Sequence, residues 1–208
     1  SKREGVRVEY LSMRSLARAG LLLLIICVSV KCSVCHGPSD VDDVLPLDVL
    51  STKDDTLDAK RQAQVAVRWG LYNSRRKNSG ELESEFGPGS SRAFTRVTRD
   101  YLQDIIERYR VRSIVDVACG DWNWMHQVDL AALGVESYVG YDINGNIIKE
   151  NLRLFSSRIV SFRHESLLTA ILPAADLIIA RDLLFHLNSA HIHTALSNIE
   201  NSNSTLLL

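Results

Sequence analysis

Two hydrophobic textures follow one another along the chain, and the change falls near residue 112. Before it, apolar positions recur at helical spacing. Between 57 and 77, Val65, Trp69 and Tyr72 stand at i, i+4 and i+7, and Arg75, Arg76 and Lys77 crowd the last turn before Gly80. That is where a helix C-terminus favours cations. Residues 80–91 read as a loop ending in Gly87-Pro88-Gly89-Ser90-Ser91. Ser91 is a candidate N-cap for a second helix, which carries Phe94, Val97, Tyr101, Ile105 and Tyr109 along one face.

After Arg112, short apolar runs alternate with helical periods. The runs 113–117, 137–141, 159–162 and 175–180 are predicted strands, the last apolar enough to be central, and 205–208 begins a fifth. Between them the pattern predicts a helix over 122–133 closed by Gly134, and one over 144–155 with Ile147, Ile148, Leu152 and Phe155 inward. A third is capped by Ser189 and buries Ile192, Ala195, Leu196 and Ile199. Strands separated by helices in this way build βαβ units, so the expected fold is α/β. It has a mostly parallel sheet covered on both faces, and ligands bind at the carboxyl ends of its strands.

Composition narrows this reading only a little. Of 208 residues, 46% are hydrophobic and 24% charged, enough apolar material for a packed core and too much for wholesale disorder. The formal net charge of -1 and the lack of a basic stripe give no sign of general affinity for nucleic acid. No internal repeat interrupts the pattern.

The N-terminus carries an address. Residues 19–30 form an apolar run containing Leu21 to Ile26, shorter than the roughly 20 residues that span a bilayer. Arg14 and Arg18 precede it, no acidic residue lies between Met13 and Ser39, and small residues follow. This is the layout of a secretory signal peptide, with Met13 as the expected start, and it predicts routing to the secretory pathway. An uncleaved leader anchoring the chain in the membrane and a buried core helix are the alternatives. The cysteines do not form a disulfide framework, because Cys27, Cys32 and Cys35 cluster behind the apolar run and Cys119 stands alone. Cys32 to His36 formally matches a haem-attachment pentapeptide, but it reads as the small-residue stretch after a signal sequence. The chain thus divides into a leader (1–37), a linker rich in Asp, Ser and Pro (38–56), a helical extension (57–110) and a core (111–208).

Chemistry-bearing residues collect where strands end. Asp116 to Asp121 follow the first strand, Asp142 ends the second, and Arg181-Asp182 follow the fourth with His186 one turn on. His191 and His193 are two apart on a helix, point to different sides and cannot share a metal, and no metal site is evident. The segments Cys119-Gly120-Asp121-Trp122-Asn123-Trp124-Met125 and Arg181-Asp182-Leu183-Leu184-Phe185-His186-Leu187, with Gly87 to Ser90, give the chain its affinity. From about residue 69 onward it resembles class I S-adenosylmethionine (SAM) dependent methyltransferases. It is most like a subgroup with Cys-Gly-Asp-x-x-Trp-Met after strand one and Arg-Asp-x-x-x-His-Leu after strand four.

The resemblance implies a Rossmann-like sheet, SAM as cofactor, and methyl transfer to an unidentified acceptor, a small molecule or sugar by preference. It implies that Asp116, Ala118, Cys119 and Gly120 line the methionine end, where Gly120 lets backbone approach the ligand. Asp142 and Ile143 fall on the ribose side, Asp142 placed to accept both hydroxyls. The adenine-side carboxylate of the family falls at Ser166, with Glu165 one residue early: either a register shift lets Glu165 serve, or Ser166 makes a neutral, weaker contact. Arg181 and Asp182 face the cofactor or substrate, or form a structural ion pair or N-cap. Asp182 and His186 are the candidate catalytic residues, His186 as general base or as an ordinary helix histidine. Two departures stand out: Ala118 and Trp122 occupy positions where the wider family has glycine. The family continues past strand five into a helix and two antiparallel strands, so the chain reads as an incomplete copy, or as one whose sheet a partner completes. A non-catalytic SAM-fold binding protein or an inactive fragment is the alternative function. A nicotinamide-binding domain is disfavoured because Gly-x-Gly-x-x-Gly is absent after strand one.

Overall fold

The computed structural model describes Gly80 and residues 83–208. The leader, the linker, the helix expected over 57–77 and Cys32 to His36 lie outside the described residues. Described elements run in the order α1 (Arg96–Tyr109), β1 (Ser113–Val117), β2 (Ser137–Asp142), α2 (Gly145–Phe155), β3 (Val160–His164), β4 (Leu177–Ile179), α3 (Ser189–Asn201) and β5 (Leu206–Leu207). The strands form one parallel sheet in the order β3-β2-β1-β4-β5. This is the α/β parallel sheet that the alternating texture predicts and the Rossmann-like fold that the resemblance implies. None of the described helices is long and apolar enough to cross a membrane.

Each face of the sheet has its own core, because alternate strand residues point to opposite sides. Leu102, Ile105 and Ile106 of α1 and Ile148 of α2 pack with Ile114, Tyr138, Phe162 and Ile179 on one face. Ala195 and Ile199 of α3 pack with Val115, Val117, Tyr141 and Ile178 on the other. β4 is central, its residues Leu177, Ile178 and Ile179 all fully buried. At the amino ends of the strands, the Asp176 carboxylate accepts the amides of Arg112 and Ser113 at 2.8 and 2.9 Å and ties β4 to β1.

Several elements depart from the sequence pattern. The stretch 122–133 is not an α-helix but a series of turns around a short 3₁₀ turn at Met125–Gln127. Trp122 has φ of 54°, outside helical space, and its ring leaves for the core, where it meets Phe155, Tyr138 and Phe162 at 5.1–5.5 Å. Burying that ring outweighs starting a helix there. In α1 the buried stripe is Leu102, Ile105 and Ile106, whereas Val97 and Tyr109 are exposed, as is Phe94 in the turn before it. The helix begins at Arg96 behind an N-cap at Thr95, and the Ser91 hydroxyl instead accepts the Phe94 amide in the preceding turn. In α2, Leu152 faces outward and Asn151 inward. Asn188 rather than Ser189 caps α3, accepting the His191 amide, and His191 joins Ala195 and Ile199 in its buried stripe while Ile192 and Leu196 are half-buried.

Candidate functional site

The strand order reverses direction between β1 and β4. β2 and β3 lie to one side of β1, and β4 and β5 to the other. Loops leaving the carboxyl ends of β1 and β4 therefore part, and ligands of open α/β sheets bind in the crevice this leaves. The loop after β1 holds Ala118 to Asn123, and the loop after β4 holds Ala180 to His186.

The β1 loop winds through left-handed backbone three times, at Ala118 (φ 66°), Gly120 (φ 57°) and Trp122 (φ 54°). Such conformations cost a non-glycine residue roughly 1–2 kcal/mol. Ala118 and Trp122, where the sequence departs from the glycine-rich pattern, thus keep the backbone path that glycines would take. The loop is held in place by its neighbours. The Gly120 amide donates to the Asp142 carboxylate at 3.0 Å, and the Gly120 carbonyl accepts from Asn151 Nδ2 at 2.7 Å. Cys119 donates its amide to the Tyr141 carbonyl, and its buried thiol is pushed well above the ordinary range by burial and by Asp116 and Asp142. Asn151 went unnoticed in the sequence. Its spacing of four from Ile147 on the buried face of α2 was the available signal.

Three carboxylates meet at the ends of β1 and β2. Asp116 is fully enclosed and accepts the Tyr138 hydroxyl at 2.5 Å. Its carboxyl is pushed up to about 7, first by burial and also by Asp142, against the Tyr138 hydrogen bond and Arg181, which pull it down. Asp142 is likewise pushed up by burial, against the amides of Asn144 and Gly120, which lower it. Asp121 accepts the Ser84 hydroxyl and the Glu85 amide at 3.0 and 2.9 Å.

On the β3 side, Ile143 follows Asp142, and its carbonyl accepts from His164 Nε2 at 3.0 Å. Glu165 donates its amide to the Asp142 carbonyl at 3.2 Å, while its exposed carboxylate lies 4.0 Å from Arg163. The Ser166 hydroxyl accepts the Leu168 amide in a turn. Glu165 is thereby the residue whose backbone is joined to Asp142.

Beyond β4, Arg181 and Asp182 form the ion pair that the sequence left as one option, at 2.8 Å. The guanidinium also donates to the Gly89 carbonyl at 3.1 Å and lies over the Trp124 ring, 5.6 Å from its centroid. Asp182 has φ of 54°, a strained backbone of the kind found at ligand sites. His186 lies on a 3₁₀ turn with its ring 4.2 Å from that of Phe185. Partial loss of water lowers its pKa below the usual 6.5, and Asp182 draws it back up. A groove of about 400 Å³ lined by Trp122, His126 and Ile159 lies at the start of β3, away from these strand ends. Among the described residues, no group of three or more His, Cys, Asp or Glu side chains is placed to hold a metal.

No protein-family model and no curated protein matches the chain. Solved structures similar to it are SAM-dependent methyltransferases. The N-methyltransferase NodS from Bradyrhizobium japonicum, in complex with S-adenosyl-L-homocysteine (SAH), is 15% identical with a TM-score of 0.41, over 50% of this chain and 54% of that one. The methyltransferase domain of bacterial CtHen1 is 14% identical with a TM-score of 0.45, over 51% and 60%. SAM-bound CalS10, an amino pentose methyltransferase from Micromonospora echinaspora, is 15% identical with a TM-score of 0.42, over 62% and 50%. The chain thus spans 50–60% of the length of these proteins. At such identities the likeness is one of fold.

Proposed function

We propose that the chain binds SAM at the carboxyl ends of β1 and β2 and transfers its methyl group to an oxygen or nitrogen of a small-molecule or sugar acceptor placed beyond β4. The observation that carries this reading is the make-up of the β1 loop. A dinucleotide fold sets a pyrophosphate on the N-terminus of a helix that follows β1. Here turns follow β1 instead, and Asp116, Asp121 and Asp142 crowd the same end of the sheet. The negative charge these acids hold repels phosphates and favours a nucleoside that carries positive charge, as the sulfonium and ammonium of SAM do, and a bound cation would in turn draw the raised Asp116 and Asp142 carboxyls toward ionisation.

The residues present fit that group. Each Asp142 oxygen accepts one backbone amide, from Asn144 at 2.8 Å and from Gly120 at 3.0 Å. An ionised carboxylate has about four acceptor positions, so both oxygens retain capacity for a ribose diol. Gly120 presents no side chain at a left-handed turn beside them, and the face it leaves is the one the Phe86 ring lies against.

Bound SAM would supply an activated methyl group on its sulfonium, which leaves the protein chiefly to align the partners and exclude water. Asp142 would hold the ribose, and Gly120 and Asp116 would flank the cationic end. His186, largely neutral at pH 7 because its pKa is lowered, would take the proton from the acceptor's hydroxyl or amine. Asp182 would stabilise the imidazolium that forms.

Calorimetry on the 208-residue chain with SAH and with NAD tests the reading. SAH is expected to bind and NAD to give no heat. NAD binding in preference to SAH would overturn it.

A further inference from the structure

The segment 83–91 touches the loops after both β1 and β4, and we propose that it is a gate on the cofactor's path, closed by the Phe86 ring over Gly120. The inference rests on the SAM reading above. A Cβ at Gly120 would stand 3.1 Å from Phe86 Cδ2 and 3.3 Å from Cε2, so the ring lies directly on the face that the glycine leaves bare. A ligand lying against that backbone and the ring compete for one surface. Phe86 is 40% exposed, so the ring is not there to fill the hydrophobic core.

Polar latches hold the segment down on either side of the ring. Asp121 takes the Ser84 hydroxyl and the Glu85 amide. Asn123 donates to Glu83 Oε1 at 3.1 Å and to the Ser90 carbonyl at 2.9 Å. Arg181 reaches across from β4 to the Gly89 carbonyl. No large apolar side chain of the segment is buried, so a buried Ser84–Asp121 hydrogen bond and part-buried polar contacts hold it in place of apolar packing, and a segment with few buried apolar contacts opens more readily than the core. Gly87, at φ of 86°, and Gly89 have no neighbour within 4 Å of a Cβ position, which gives the backbone room to turn there. Because Arg181 also pairs with Asp182, the latch ties the gate to the proposed transfer site. Arg181 is therefore a positioning residue.

The test is stopped-flow association of SAH with the full chain, read from the fluorescence of Trp122 and Trp124, for wild type, Phe86→Ala and Arg181→Gln. Where ligand enters only an open fraction, raising that fraction raises the observed association rate in proportion, and about fivefold or more is expected in both variants. Phe86→Tyr, which keeps the ring, should associate like wild type. Binding by the variants alone would also support the gate, as one held shut. Unchanged rates in both variants, with SAH still bound, overturn the gate and leave the SAM reading standing. Absence of SAH binding in wild type and both variants removes the SAM reading, and the gate with it.

Discussion

The backbone amide of Gly120 donates to the carboxylate of Asp142 at 3.0 Å, so the bare turn after β1 and the acid that ends β2 are one unit. Losing Asp142 should then cost twice, once at the ribose and once at the loop. Hydrogen bonds to a charged group contribute about 1.5–3 kcal/mol. Asp142→Ala should therefore weaken SAH binding roughly 10–150-fold. Asp142→Asn, which retains one acceptor oxygen, should fall between that variant and wild type. Calorimetry measures both, and an unchanged dissociation constant in Asp142→Ala would take this residue out of the site.

Ala118 holds φ of 66° without being glycine. Relief of left-handed strain of about 1–2 kcal/mol is offset by the greater freedom glycine gives the unfolded chain, about 0.4–1 kcal/mol. Ala118→Gly should thus be stabilising by up to about 1.6 kcal/mol, visible as a higher urea midpoint with the slope unchanged. A lower midpoint would show that the loop does not keep this path in solution. Ala118→Val should move the midpoint down, since a branched side chain tolerates φ above zero least.

The fold was legible because its strands are short apolar runs, and periodicity reports burial directly. The placement of Asp116, Gly120 and Asp142 at the carboxyl ends of β1 and β2 was legible for a related reason: those ends follow directly from the apolar runs that precede them. What stayed hidden depends on contacts distant in sequence. The helix expected over 122–133 fails because Trp122 finds Phe155 and Phe162, which local pattern does not foresee. Likewise 83–91 reads only as a loop until the structure sets Phe86 against Gly120 and Gly89 against Arg181.

Asp116 should give the chain a pH-dependent stability. Its carboxyl is pushed from the ordinary 3.8 up to about 7, first by burial. Between those values the folded chain keeps a proton that the unfolded chain has lost. The stabilisation is fully present below the unfolded pKa and is lost as pH rises through 7. Asp142, also pushed up by burial, acts in the same direction. The urea midpoint of wild type should therefore fall between pH 5 and 8. Asp116→Asn leaves Tyr138 an acceptor and removes the titration, so its midpoint should fall less over that range. Equal slopes would show that Asp116 ionises normally.

His186 and Asp182 should govern turnover rather than cofactor binding, because both lie beyond β4 while Asp142, the acid proposed to hold the ribose, ends β2 on the other side of β1. A positioned general base typically contributes about 10²–10⁴-fold. His186→Ala should lower kcat within that range once an acceptor is supplied, with SAH affinity unchanged. The pH profile separates a base from a packing residue. Water lost around the ring holds the imidazole below the usual 6.5, so it is neutral at pH 7 and kcat should be flat there and fall in acid. Asp182 draws that pKa upward, and Asp182→Asn should shift the acid limb to lower pH while reducing kcat less than His186→Ala does. His186→Gln preserves hydrogen bonding but cannot accept the proton, and it should not restore the rate. A parallel loss of SAH affinity and turnover in these variants, with an unmoved acid limb, would mean that the turn 184–186 supports the fold and takes no proton.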